Sequence, residues 1–125
     1  MQDWDYEGYA IRYNTKRPDG KTILKDAFKN CDGQTVPLVY NFYQNGGTHI
    51  PDTSIDNVLG LACLENREEG VYARCKLNDT PICLELKKVG LDKCIKKLTV
   101  FAQRCEIHDL AVSNGIITAV KVISL

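Results

Sequence analysis

The sequence predicts an α+β fold in which a mostly antiparallel β-barrel of six to seven strands, closed or nearly closed, accompanies one main helix. Three observations favour this fold. Strand-like apolar segments recur along the chain, the stretch 58–79 has the alternation of a β-hairpin, and one clear helix-start signal occurs at 79–81. A chain of 125 residues favours a single domain, 1–125, which can bury roughly two-thirds of its unfolded surface.

The hairpin at 58–79 is the clearest of these elements. Its second strand alternates apolar and polar side chains at period two, which is typical of a half-buried strand. Its first strand, 58–65, is apolar on both faces, so we expect it to lie centrally and to be covered on both sides. The polar tip, 66–70, ends in Gly70, where a left-handed conformation is expected. The apolar side chains of the second strand are Val71, Ala73, Cys75 and Leu77.

The other strands follow from apolar or β-branched runs that are bounded by turn residues. Pro37 falls near the start of its run, where a missing N–H costs least. Asn114-Gly115 is typical of a two-residue hairpin turn. The predicted strands are 8–14, 36–43, 97–103, the region around 106–112, and 116–125.

Three segments between the strands have turn or loop character. The sequence RPDG at 17–20 predicts a turn, since Pro sets φ and Asp-Gly supplies the reversal. The segment 22–29 is predicted to form one or two helical turns. The segment 44–57 is predicted to be an irregular loop, longer than most connections in so short a chain, and such loops are either functional or solvated slack.

The main helix is predicted at about 81–89. Asp79 or Thr80 can cap it, and Pro81 suits its first turn. Gly90 can end it in the left-handed conformation, and 91–95 is predicted as a further turn. An apolar stripe at i, i+4 and i+7 is predicted to face the core. The stripe consists of Ile82, Leu86 and Val89.

Charge and hydropathy argue against several classes of partner. Sixteen basic residues balance sixteen acidic ones, so neither nucleic acid nor membrane is expected as a partner. No apolar run approaches the roughly 20 residues of a membrane span. The first ten residues lack the basic and apolar regions of a secretory signal peptide.

The cysteines favour reduced, buried thiols over disulfides. No secretory signal accompanies them, and most lie within apolar patterns. No pair has the C-x-x-C spacing, and the two histidines are far apart, so we expect neither a zinc site nor any other metal or cofactor. The six are Cys31, Cys63, Cys75, Cys83, Cys94 and Cys105.

Short phrases over residues 8–124 have a recognisable order. They are GYA at 8–10, ILKDAF at 23–28, VPLVYN at 36–41, NVLG at 57–60, LEN at 64–66, GVYA at 70–73, ND at 78–79, LTVFAQ at 98–103 and GIITAVKVI at 115–123. In this order the chain resembles the prohead maturation proteases of tailed bacteriophages, which are serine proteases with the herpesvirus-protease-like barrel. It is most similar to the branch common in phages of Gram-positive bacteria.

The chain departs from this resemblance at the three positions that carry catalysis in the family. Phe42 stands where the resemblance implies the general-base histidine, Thr99 where it implies the nucleophilic serine, and Ala119 where it implies the glutamate. A hydroxyl needs a base within hydrogen-bond reach, and the base needs an orienting partner. Phe42 accepts no proton and Ala119 orients nothing. The resemblance therefore implies a catalytically degenerate member with no catalytic residues.

Two histidines offer alternatives. His49 lies in the predicted loop, and a shifted alignment would bring it toward Thr99, although an exposed loop residue is the simpler interpretation. His108 precedes Asp109, but adjacent residues of a strand point to opposite faces and cannot form a triad-like pair. We expect both histidines at the surface.

The leading hypothesis is a non-catalytic virion structural protein, specifically an auxiliary, decoration or cement protein that binds the major capsid protein. It would be made in the bacterial host cytoplasm and reside in the capsid, where a homo-oligomer is possible. The segment 1–7, with Trp4 and Tyr6, is either a docking arm or packs against the barrel. The alternatives are an active maturation protease that uses Thr99 and a transient capsid assembly factor.

Overall fold

The computed structural model describes residues 4–39, 42–45, 48–51 and 58–124. The strands are β1 Tyr6–Arg12, β2 Thr22–Ile23, β3 Thr35–Val39, β4 Phe42–Asn45, β5 Thr48–Pro51, β6 Val58–Arg67, β7 Gly70–Leu77, β8 Ile95–Gln103, β9 Glu106–His108, β10 Ala111–Ser113 and β11 Ile116–Ser124. The helices are α1 Pro81–Val89 and α2 Leu91–Cys94, and a 3₁₀ turn covers Lys29–Cys31.

Six strands form one sheet in the order β1-β7-β6-β3-β11-β8. Its two edge strands, β1 and β8, approach each other, so the sheet is nearly closed into a barrel. The prediction of a mostly antiparallel sheet needs correction, because β3 and β11 pair in parallel and the sheet is mixed. These strands lie far apart in the sequence, so no tight turn forces them to run in opposite directions.

The side chains that point into this barrel form the core. Leu38 of β3 and Val120 of β11 are paired across the parallel ladder and are 1% and 0% exposed. Phe28, from the turn before β3, is only 2% exposed and is among the largest fully buried side chains. The same cluster includes residues from β1, β6, β7 and β8, from both helices and from β2 and β10.

The predicted hairpin at 58–79 is present as β6 and β7, joined by a tight turn at Glu68 and Glu69. The alternation in β7 is confirmed, since its four apolar side chains are 0–4% exposed. β6 is central, between β7 and β3. However, the prediction that it is covered on both faces is wrong at Leu61, which is 39% exposed. Gly70 has φ of 157°, and a Cβ there would collide with the backbone oxygen of Ile11, so the close approach of β1 accounts for this glycine.

Helix α1 has the predicted bounds, and of the predicted stripe only Leu86 packs against the core. Ile82 and Val89 of the predicted stripe are 49% and 56% exposed. The fully buried residue is Cys83, whose thiol donates to the carbonyl oxygen of Leu59 at 3.3 Å. Thr80 is the N-cap by backbone position, but its hydroxyl caps nothing and has no partner among the described residues.

Several local predictions are wrong because pairing partners decide the conformation. The segment 22–29 contains β2 and a turn instead of helical turns, since β2 adds to β10 in parallel. Two strands, β4 and β5, lie where a single strand and then an irregular loop were predicted. The region around 106–112 divides into β9 and β10. Asn114-Gly115 joins β10 to β11, which belong to different sheets, so it is not a hairpin turn.

The predicted arm at 1–7 lies partly outside the described residues, which begin at Trp4. Trp4 is half-buried, and Tyr6 belongs to β1 and packs against the core cluster. Of the two alternatives predicted for this segment, Tyr6 follows the one in which it packs against the barrel. Within the described ranges, no helix is both long enough and apolar enough to cross a membrane.

Candidate functional site

Thr99 and Ala119 lie on neighbouring strands and share one face of the sheet. Thr99 of β8 is paired with Lys121 of β11, and Ala119 precedes Lys121 by two residues. Because side chains alternate along a strand and paired residues share a face, all three point away from the core that Val120 enters. Ala119 is 0% exposed, Thr99 is half-buried, and Lys121 is half-buried. The position implied for a third catalytic group is therefore a buried methyl group.

The position implied for the histidine is in the β4–β5 hairpin. Phe42 begins β4 and pairs with Pro51, and His49 of β5 pairs with Gln44. β5 approaches β8, the strand that carries Thr99. The side chains of Phe42 and His49 lie outside the described residues, so the alternative in which His49 serves Thr99 stays a prediction.

His108 and Asp109 do not form a catalytic pair. His108 is exposed at the end of β9, as expected for a surface residue. Asp109 lies in the following turn with φ of 50°, a conformation that reverses the chain toward β10. Thr99 lies in a different sheet from His108.

Thr99 borders a cavity of about 600 Å³ between β1 and β8. Backbone and side chains of 9–12 form one wall, 97–100 form the other, and the turn at 15–19 closes one end. Its charged lining is dominated by cations, and Asp19 is the one carboxylate among the lining residues that the structure describes. The cationic side chains are Arg12, Lys16, Arg17 and Lys97.

A second cavity, of about 730 Å³, continues along β8 from Val100 to Cys105. Its far wall is formed by Phe28 and by residues of the small sheet β2-β10-β9. Arg17, Asp19 and Val100 line both cavities, so the two form one groove, the β8 groove.

The described residues that line the β8 groove include few potential nucleophiles. The hydroxyl and thiol groups among these residues belong to Tyr9, Thr15, Thr99 and Cys105, and no histidine is among the described lining residues. Burial raises the pKa of the Cys105 thiol, which disfavours the reactive thiolate. No group of three metal-ligating side chains lies together in the described part of the chain.

On a second surface, the outer face of β1 and β7, the charged and aromatic side chains contact one another. Tyr9 and Tyr72 meet edge to face at 5.1 Å, and the guanidinium of Arg67 stacks 3.8 Å from the centre of the Tyr72 ring. Arg67 is ion-paired with Glu65 at 2.8 Å, and the Tyr72 hydroxyl donates to Glu7 at 2.6 Å. Its cations and aromatic rings already have partners within the chain.

Two features of the site were not predicted from the sequence. Lys121 is opposite Thr99, a relation that only the β8–β11 register reveals. Four of the cations of the β8 groove lie within 12–21, a window with a single acidic residue, and this basic cluster was overlooked; Lys97 and Arg104 come from a distant segment that only the fold brings beside it. Alternation in the two strands would have indicated the face of each residue but not its partner.

The chain was compared with models of known protein families, with curated protein sequences and with solved structures, and nothing matched.

Proposed function

We propose that this protein is a non-catalytic structural protein of a tailed-phage virion, built on the fold of a prohead protease. In the most specific form of the proposal it is an auxiliary or decoration protein that binds the major capsid protein. It is made in the host cytoplasm and resides in the capsid. The order of phrases over 8–124 and the nearly closed six-stranded sheet support the relation to the proteases.

The proposal that the protein is non-catalytic rests on the pairing of β8 with β11 around Thr99. The implied nucleophile position and the implied glutamate position share one face, which is the arrangement that a catalytic site would need. At the glutamate position, Ala119 is 0% exposed and has no polar side-chain atom. A triad without its base and its orienting group retains only the small residual contribution of binding and oxyanion stabilisation. A rigid barrel that has lost its catalytic residues still presents a surface that can bind other proteins.

The test is quantitative mass spectrometry of purified virions from the phage that carries the gene. A decoration protein is expected at a fixed ratio to the major capsid protein, because each lattice position offers the same binding site. Presence in precursor capsids together with absence from mature virions would favour the transient assembly factor. Absence from both would refute the proposal.

An active protease is the second candidate, and Lys121 is the observation that favours it. A lysine amine can serve as the base for a hydroxyl nucleophile, and Lys121 is the cross-strand neighbour of Thr99. The test is incubation of the capsid protein with the wild type, Thr99→Ala and Lys121→Met. Thr118→Ala is the matched control, since Thr118 is another half-buried threonine in a strand. We expect no cleavage by any of them. Cleavage lost only in the first two variants would establish the protease.

A further inference from the structure

β8 is an edge strand, and its free side opens on the β8 groove. It pairs with β11 on one side, and among the described strands none of the main sheet pairs with its other side. The first half of β8 borders the cavity shared with β1. The second half, from Val100 onward, borders the 730 Å³ cavity, and no residue of β1 lines that part. A volume of this size accommodates several residues of an extended peptide.

One hydrogen bond shows which backbone groups face the groove. The hydroxyl of Thr118 in β11 donates to the carbonyl oxygen of Phe101 at 3.2 Å, so the backbone groups of Phe101 point toward β11. Backbone groups of consecutive residues in a strand point to opposite edges. Those of Val100 and Ala102 therefore point into the groove. In the described part of the chain, no turn, loop or side chain is hydrogen-bonded to the backbone of either residue. Such an edge is a template for an added strand.

The charge of the β8 groove indicates the chemistry of that strand. Arg17, Lys21 and Arg104 line the half of the groove next to Val100, and Arg12, Lys16 and Lys97 line the other half. Asp19 carries the one carboxylate in the described part of the lining, and this carboxylate already accepts the backbone N–H of Lys21 at 3.0 Å. Of the six cations, Arg12 is ion-paired with Glu69 at 3.7 Å, which leaves five against one carboxylate among the described lining residues. In a chain with sixteen charges of each sign, this is a segregated positive surface. The complementary ligand is acidic.

The apolar floor of the groove favours a bound strand in which apolar and acidic residues alternate. Ile23 and Val112 lie at its base, and Ile107 stands 52% exposed at its rim. A strand alternates its side chains between two faces, so apolar residues would contact this floor while acidic residues reach the cations.

We propose that the β8 groove binds an extended acidic segment of a partner protein, which adds as a strand to β8 at Val100 and Ala102. Its carboxylates pair with Arg17, Lys21 and Arg104. This proposal goes beyond the structural role in a virion, because it names the recognised chemistry and holds whatever protein carries the segment. A single-stranded nucleic acid would satisfy the cations but not the four backbone groups.

The test uses the synthetic peptide acetyl-EVDVEID-amide and isotope-labelled full-length protein. In an NMR titration we expect saturable binding, with the largest shifts at the amides of Val100 and Ala102 and slower hydrogen exchange there. Lys21→Glu combined with Arg104→Glu should weaken binding about tenfold or more. The matched control is Lys88→Glu combined with Lys96→Glu, because both lysines are exposed and lie outside the groove lining. Peptide that is N-methylated at alternate residues should also bind about tenfold more weakly, since it lacks the edge hydrogen bonds.

Four outcomes would overturn the proposal. They are no saturable binding up to about 1 mM peptide, equal binding of the basic peptide acetyl-KVKVKIK-amide, equal binding of the N-methylated peptide, and displacement of the acidic peptide by an oligothymidylate that binds more tightly. Wild-type-like spectra of the free variants exclude misfolding as the cause of weak binding. Peptide binding without virion association would refute the structural role and leave this inference standing.

Discussion

The hydroxyl of Tyr13 donates a 2.6 Å hydrogen bond to Oδ1 of Asn66, which lies 53 positions further along the chain. The side-chain amide of Asn66 in turn donates to Asp26 at 3.0 Å, and its backbone N–H donates to Asp32 at 2.9 Å. One asparagine at the end of β6 therefore joins the end of β1 to the two turns that precede β3. Contacts of this kind hold a nearly closed sheet together at a point where no ladder connects the segments.

Asn66→Ala is expected to lower the free energy of unfolding by about 2 kcal/mol, because it removes two side-chain hydrogen bonds and leaves the Tyr13 hydroxyl unsatisfied. Tyr13→Phe should cost about 1 kcal/mol. Urea denaturation measures both, and the double variant should cost less than the sum, because the two residues share one bond. Gln34→Ala, at an exposed position, is the control and should change stability by less than about 0.5 kcal/mol. Strict additivity in the double variant would contradict the coupling.

Gly115→Ala is expected to destabilise the protein by about 1–3 kcal/mol, because the added methyl group overpacks a filled site. A Cβ at Gly115 would collide with the ring of Phe28 and would lie 2.6 Å from the Cys105 sulfur. Gly8→Ala is the matched control, since a Cβ at Gly8 meets nothing within 4 Å. Thermal denaturation of both variants checks this prediction. Equal melting temperatures would show that the site at Gly115 is not packed as described.

Stability is expected to fall in alkali. Burial raises the pKa of Cys75 to about 12, of Cys31 to about 11 and of Tyr13 to about 12. A group whose pKa is raised on folding keeps its proton in the native state while the unfolded chain loses it. Its contribution is therefore fully present below the unfolded pKa of the thiols, about 9, and is lost as pH rises toward the folded values.

The measurement is the urea midpoint between about pH 8 and pH 11, where each such group steepens the decline by up to about 1.4 kcal/mol per pH unit. Cys75→Ala should make the decline shallower by the contribution of one proton, even if it lowers stability at neutral pH. A flat profile in the wild type would contradict the burial of these groups.

The two faces of α1 are expected to respond differently to truncation. Ile82→Ala should change the free energy of unfolding by less than about 0.5 kcal/mol, because that side chain is 49% exposed. Cys83→Gly should cost about 1–2 kcal/mol, because the thiol is fully buried and a glycine also weakens the helix. Ile82→Gly is its matched control, with the same backbone change and no buried group lost. Equal costs for the two glycine variants would reverse the assignment of the buried face.

Local patterns predicted some elements and failed at others for a consistent reason. The bounds of α1 followed from Pro81 and Gly90, which act within one turn of themselves. The apolar stripe predicted its buried face only at Leu86, because Cys83, a small residue outside the stripe, fits against Leu59 and is the fully buried position. Asn114-Gly115 has the sequence of a hairpin turn, but a hairpin also needs two strands that pair with each other.

The sequence indicated which residues belong to the candidate site, but not how they lie relative to one another. The order of the phrases indicated Thr99 and Ala119, and the registers of β8 and β11 then placed them on one face. Lys121 as the neighbour of Thr99 and the cations of the β8 groove depend on contacts between distant segments, which periodicity does not encode.

The sequence by itself determined the short-range features of this protein: the alternation of β7, the helix that starts at Pro81, the turn at 17–20 and the class α+β. These depend on interactions within a few residues, such as side-chain periodicity and turn chemistry. The tertiary structure alone decided the parallel pairing of β3 with β11, the open edge of β8 and the cationic groove beside it. Each of these depends on which segments meet in space, and that choice is made by burial of the whole core at once.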